Sequence, residues 1–158
     1  MMFSSSFAQV YYNEIAQIKN PKALYKSYTY WLKRLFVLTL IGWIILVITP
    51  SSLLTSILGD KWSGLMDAIK VISPWMAIMF IASSLSYVFI RLEKQKEIFF
   101  FDVFHLVLII ITLGLGHFFL NEKNQILYLV TIIQSVFYIL SISLALKFLI
   151  ANLKNNNA

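Results

Sequence analysis

Four stretches of the sequence, residues 35–54, 71–90, 99–120 and 126–150, run almost free of charged positions, and shorter polar segments separate them. The first two hold no ionisable side chain other than tyrosine; the third contains Asp102, His105 and His117, and the fourth has Lys147 close to its end. At 1.5 Å of rise per residue, about twenty helical residues cross the roughly 30 Å hydrocarbon core of a bilayer. The pattern predicts an all-α, polytopic membrane protein with four transmembrane helices. Residues 1–34 are expected to form a cytoplasmic or interfacial helical segment, and residues 151–158, rich in Asn, a disordered polar tail.

The third stretch has to tolerate a carboxylate. Its Phe, Val, Leu and Ile residues contribute roughly −0.5 kcal/mol each, which together outweigh about +3 kcal/mol for one Asp even at the helix centre. Lys147 can carry its ammonium to the headgroups on a four-carbon stem. Both stretches are therefore expected to insert.

Ahead of the first span, Asn20 followed by Pro21 reads as a helix start, with Asn as the cap and Pro in the first turn, where a missing N–H does no harm. From there Leu24, Tyr28, Trp31, Leu32 and Leu35 recur at helical spacing beside Lys22, Lys26, Lys33 and Arg34. Two readings fit: a separate interfacial helix, or the aqueous extension of the first transmembrane helix. Pro50 and Pro74 fall near span ends, where a lost backbone donor is tolerated.

Charge adds a direction. Lys and Arg number five before the first span, two in residues 55–70, three in 91–97, one in 121–125 and two at the C-terminal end, so alternate segments hold ten against three. The positive-inside rule then places both termini and the 91–97 loop in the cytoplasm. Residues 1–10 carry no positive charge ahead of an apolar run, which argues against a cleavable signal peptide.

Composition closes off other classes. Hydrophobic residues make up 59% and charged residues 13% of the chain, against roughly one-quarter charged in soluble domains, so a soluble fold is excluded. The net charge of +6 lies in short clusters between apolar runs and not along one face, so it reads as topology signal and not as a nucleic-acid surface. With no Cys, disulfides and thiolate chemistry are absent. No phosphate loop, paired carboxylates, metal-ligand spacing or nucleophile elbow occurs, so no enzyme, metal or cofactor is expected.

The candidates for a transport path are Asp102, His105 and Gln134. Asp102 and His105 are three apart and share a helix face, and ionisable groups within a span are by default functional candidates. The alternative for Asp102 is a place in the first turns of its helix, favoured by the macrodipole or reached by a neighbouring Lys. His117 is expected at interfacial water. Gln134, Ser135, Ser141 and Ser143 face either a polar lumen or neighbouring helices.

Three segments carry a family resemblance. FAQVYYNEIA at residues 7–16, followed by a basic stretch and an apolar span, resembles the junction after the eighth helix of bacterial oligosaccharide-lipid flippases. These are the O-antigen and capsule flippases of the multidrug/oligosaccharidyl-lipid/polysaccharide exporter superfamily. ILGDKW at residues 57–62 is similar to that family's LFG-x-x-[WY] element in the loop after the ninth helix. ISPWMAIMFIASSLSYVFIRLEKQKEIF at residues 72–99 resembles the tenth helix and the basic loop behind it.

The resemblance implies that these are the last four spans of a flippase for undecaprenyl-diphosphate-linked oligosaccharide in the bacterial inner membrane. The missing N-terminal helices would then be the partner. No position here matches the family's basic lumen residues. Alternatives are a stand-alone four-span accessory protein that binds a glycosyltransferase or transporter, and a homo-oligomeric channel.

The absence of native Cys makes sidedness directly measurable. In intact spheroplasts a membrane-impermeant maleimide should label Trp62→Cys, while Lys96→Cys should react only after permeabilisation; the reverse order would invert the topology.

Overall fold

The computed structural model describes residues 2–119 and 123–155, with the side chains of residues 2, 3, 54, 117–119, 123 and 124 left out. All regular structure among the described residues is helical: α1 (Met2–Gln17), α2 (Pro21–Ile48), α3 (Ser52–Leu58), α4 (Leu65–Leu85), α5 (Tyr87–Arg91), α6 (Gln95–Phe119) and α7 (Lys123–Asn155), with a 3₁₀ turn at Asp60–Trp62. Four stretches are long and apolar enough to cross a membrane: Pro21–Ile48, Asp60–Arg91, Gln95–Gly116 and Gln125–Asn155. The chain is an all-α, multi-pass membrane protein.

The helix boundaries follow from local chemistry. Asn20 is extended (φ −79°, ψ 123°) and its side chain accepts a hydrogen bond from the Lys22 N–H at 2.9 Å, capping α2 with Pro21 in the first turn. From there α2 runs unbroken to Ile48, so the basic amphipathic stretch is the extension of the first transmembrane helix and not a separate element. It stops short of the expected residue 54. Pro50 drives the preceding Thr49 out of helical geometry (φ −62°, ψ 125°), and the chain restarts as α3. The ILGDKW segment ends α3 and forms the 3₁₀ turn; Gly59 sits at φ +89°, a conformation L side chains rarely adopt, and its carbonyl accepts from the Trp62 N–H at 3.1 Å.

Gly64, left-handed at φ +84°, starts α4 earlier than hydropathy alone suggests. Pro74 is consequently well inside that helix and not near its beginning. Proline removes the donor that the Lys70 carbonyl would otherwise receive. Ser73 Oγ donates to that carbonyl at 2.8 Å, and Trp43 Nε1 on α2 donates to Ser73 Oγ at 3.0 Å. The repair of the proline defect thus also ties α2 to α4.

At the other end of the chain, α7 continues through Asn155. The expected disordered tail from residue 151 is corrected accordingly: Asn152 and Leu153 are half-buried in the last helical turns, and Lys154 favours the negative end of the helix dipole. Residues 156–158 lie outside the described residues.

The spans alternate in direction. Trp43 meets Ser73, Phe89 packs on Phe148 with centroids 6.3 Å apart, and His105 bonds Gln134, so α2 and α6 run opposite to α4 and α7. The start of α2, the α5–α6 connection and the end of α7 share one end of the bundle, where ten of the thirteen Lys and Arg side chains sit. The packed core lies at this basic end. Tyr11, Ile15, Leu24, Tyr28, Leu35, Leu85, Val88, Ala145 and Leu149 are buried there, with Ile81 and Phe89. Toward the other end the helices present large apolar side chains outward, among them Phe36, Ile41, Ile45 and Ile48 of α2, as a lipid-facing surface requires.

α1, expected in the cytoplasm or at the interface, packs onto this layer at the basic end. It runs in the same direction as α4, with Phe7 edge-on to Phe80 (5.7 Å) and Tyr12 against Tyr87 (5.1 Å); Ser4 and Phe7 share a cavity with Leu38, Met76 and Met79. Its apolar face of Phe7, Ala8, Tyr11 and Ile15 accounts for the placement.

Two polar anchors hold α1. Glu14 accepts from Ser27 Oγ at 2.6 Å and Trp31 Nε1 at 2.7 Å, and Arg91 donates to the Ile15 carbonyl (3.3 Å) and the Ile18 carbonyl (2.7 Å). The guanidinium thereby satisfies the Ile18 carbonyl just past the end of α1 and adds to the Ile15 carbonyl, which also accepts from the Ile18 N–H at 3.2 Å. Arg91→Ala should loosen α1 by about 2–3 kcal/mol, the value of hydrogen bonds to a charged group. The check is the yield of a Phe7→Cys/Phe80→Cys disulfide, which should be near complete with Arg91, partial with Arg91→Lys and low with Arg91→Ala.

Candidate functional site

Two of the three sequence-predicted residues meet between α6 and α7. His105 Nε2 lies 2.6 Å from Gln134 Oε1, and Gln134 is only 3% exposed. With an amide oxygen facing it, Nε2 carries the proton. His105 is the eleventh residue of the twenty-two in the Gln95–Gly116 stretch, at its middle.

Aromatic rings close the site. The His105 imidazole stacks on Phe137 (centroids 3.6 Å apart, planes 10° apart), Phe101 stacks on the same ring at 4.2 Å, and Tyr138 meets His105 edge-on at 5.6 Å. Phe101 precedes His105 by four residues and Phe137 follows Gln134 by three, so helical spacing places all four on facing surfaces. That spacing is a usable signal in the sequence, which the polar residues alone do not carry.

Asp102 sits elsewhere on the helix. It shares the His105 side of α6 and interacts electrostatically with His105 and with the Tyr138 phenol, but it is exposed. No hydrogen bond or ion pair reaches it among the described residues; the one ion pair there joins Lys94 and Glu97 at 2.6 Å. Because α6 begins at Gln95, four residues before the expected start, Asp102 is two turns into the helix. The macrodipole fades within the first turn and gives it little support there.

The remaining candidates separate. Ser143 Oγ bonds back to the Ile139 carbonyl at 2.8 Å, and Ser141 is half-buried. Ser135 is among the buried hydroxyls without a partner. The side chain of His117 lies outside the described residues. No group of three or more His, Cys, Asp or Glu side chains among the described residues could hold a metal ion.

The geometry is an intramembrane histidine oriented by an amide and an aromatic stack, with a carboxylate one turn away. Compared with models of protein families, with curated proteins and with solved structures, the chain matches none.

The interhelical pair is measurable as a coupling energy. A double-mutant cycle with His105→Ala and Gln134→Ala, read by steric-trap unfolding in bilayers, should give about 0.6 kcal/mol and no more than about 1.7. Zero coupling would mean that the two side chains do not bond in the membrane.

Proposed function

We propose that this chain forms the last four spans of a carrier that moves undecaprenyl-diphosphate-linked oligosaccharide across the bacterial inner membrane. The observation that carries this reading is the position of α1. The FAQVYYNEIA segment that resembles the end of a flippase's eighth helix packs along α4, with Phe7 against Phe80 in the middle of that helix's apolar stretch, and is clasped by Glu14 and Arg91, an arrangement that suits the end of a preceding transmembrane helix. The Gly59 turn within ILGDKW gives the second resembling segment a structural reason for its glycine.

Alternating access requires two bundles rocking against each other around a site near the midplane. The His105–Gln134 pair lies at such a depth, and the exposed Asp102 beside it suits a face that meets further protein or a water-filled path. Transport would therefore need helices that this chain does not supply. The same exposed face also suits the second reading, an accessory protein seated on a glycosyltransferase or transporter.

Co-expression separates the two. In a flippase-deficient strain the chain should restore surface glycan only with an upstream eight-span fragment, and Asp102→Leu should reduce the restored glycan at least several-fold. Failure of that pairing, together with stable co-purification of a glycosyltransferase, would favour the accessory role.

A further inference from the structure

One stripe of α2 changes character along its length. Lys26, Lys33, Phe36, Leu40 and Trp43 follow one another at spacings of seven, three, four and three residues, so they share a helix face that begins cationic and continues apolar. Lys26 and Lys33 are exposed, and no ion pair reaches either among the described residues. Glu14, the carboxylate clasped to this helix, is taken by Ser27 and Trp31, which lie off the stripe.

The apolar part of the stripe is one wall of a groove of about 580 Å³, completed by Pro74 and Ile78 of α4 and by Ile139 and Ile142 of α7. Phe36, Leu40 and Ile139 stand exposed in it. The Thr39 hydroxyl bonds back to the Leu35 and Phe36 carbonyls and Trp43 Nε1 donates to Ser73, so Lys33 is the one lining residue with a polar group to spare. Lys33 precedes the charge-free stretch by two residues, which puts its ammonium at the headgroups of the basic end. From Lys33 to Trp43 the groove follows α2 over a rise of about 15 Å, half of the roughly 30 Å hydrocarbon core. Its length is that of one leaflet's hydrocarbon.

We infer that this face binds an anionic phospholipid, phosphatidylglycerol in chemical class, from the leaflet at the basic end. Its phosphate sits between the Lys26 and Lys33 ammonium groups, and one acyl chain lies in the groove down to Trp43. The two lysines are about 10 Å apart along the helix axis, a distance that their four-carbon stems close by turning toward each other. Charge complementarity selects this occupant. Two cations face the headgroup and no carboxylate lines the groove, so a net negative headgroup keeps the full attraction, whereas a zwitterionic one brings its own ammonium against the lysines. The inference stands whether or not the chain takes part in transport.

The test is native mass spectrometry of the purified chain with phosphatidylglycerol and phosphatidylcholine of identical acyl chains. The wild type should retain phosphatidylglycerol over phosphatidylcholine by about ten-fold, a few-fold from each lysine. Lys26→Gln and Lys33→Gln should each lower phosphatidylglycerol retention several-fold and leave phosphatidylcholine nearly unchanged. Leu40→Trp, which fills the groove from an exposed position, should weaken both lipids alike, with helicity by circular dichroism unchanged. Arg34 is next to Lys33 but on another face, with its guanidinium 4.3 Å from the Tyr30 ring centre, and Arg34→Gln should change retention less than two-fold. Equal losses from Arg34→Gln and Lys33→Gln would reduce the effect to diffuse attraction and overturn the site. So would wild-type retention that ignores the headgroup, or a Leu40→Trp variant that holds both lipids like wild type. Lipid-free dimers would give the groove to a second copy of the chain and overturn the inference as well.

Discussion

Hydrocarbon offers no hydrogen bond, so each backbone N–H and C=O of a spanning segment has to find its partner within the protein. Most of this chain meets that demand by unbroken helix, and the informative places are those where it does not. Pro74 removes a donor in mid-helix, and Ser73 supplies it to the Lys70 carbonyl while drawing Trp43 of α2 into the repair. α1 ends within the protein, and Arg91, 73 residues further on, donates to the Ile18 carbonyl. Each repair joins two elements that hydrophobic packing alone would leave free to slide, because lipid is as apolar as the side chains it competes with.

This explains why the buried core is concentrated at one end. There α1, α2, α4, α5 and α7 converge around Tyr11, Tyr28, Leu85, Val88 and Leu149, and the polar clasps of Glu14 and Arg91 fall beside the same residues. α6 is anchored differently. It packs chiefly on α7 through Phe101, His105 and Phe137, and presents Phe99, Phe100, Phe104 and Ile110 outward. A helix held chiefly by one neighbour, with the His105–Gln134 bond joining the two, has less packing than its fellows, and it is the one that carries His105 and Asp102.

Sequence alone located the four spans because charge-free length is a requirement of the bilayer and not of packing. It also located the start of α2, since Asn20 and Pro21 act within one turn. The ends of the spans were less legible. Gly64 and Pro50 set them through backbone conformation, which hydropathy does not register, and so Pro74 passed from the expected helix start to its interior. The destination of α1 was hidden for a related reason: an apolar face such as Phe7, Tyr11 and Ile15 looks the same whether it meets headgroups or helices. Asp102, His105 and Gln134 were legible as candidates, whereas the bond between His105 and Gln134 was not, because hydropathy fixes neither tilt nor neighbours.

Asp102 shows what the bundle leaves unresolved by itself. A carboxylate facing lipid costs up to about 3 kcal/mol at the helix centre and less toward the end where Asp102 lies, against the roughly 0.6 kcal/mol that an interhelical hydrogen bond such as His105–Gln134 returns. The bond cannot offset the charge, so the carboxylate must gain from something else. Covering the outward face of α6 with polar protein surface or water removes the cost altogether, and the aromatic side chains flanking Asp102 on that face would bury with it. The energetics of one side chain thus favour polar surroundings, protein or water, on the outer face of α6.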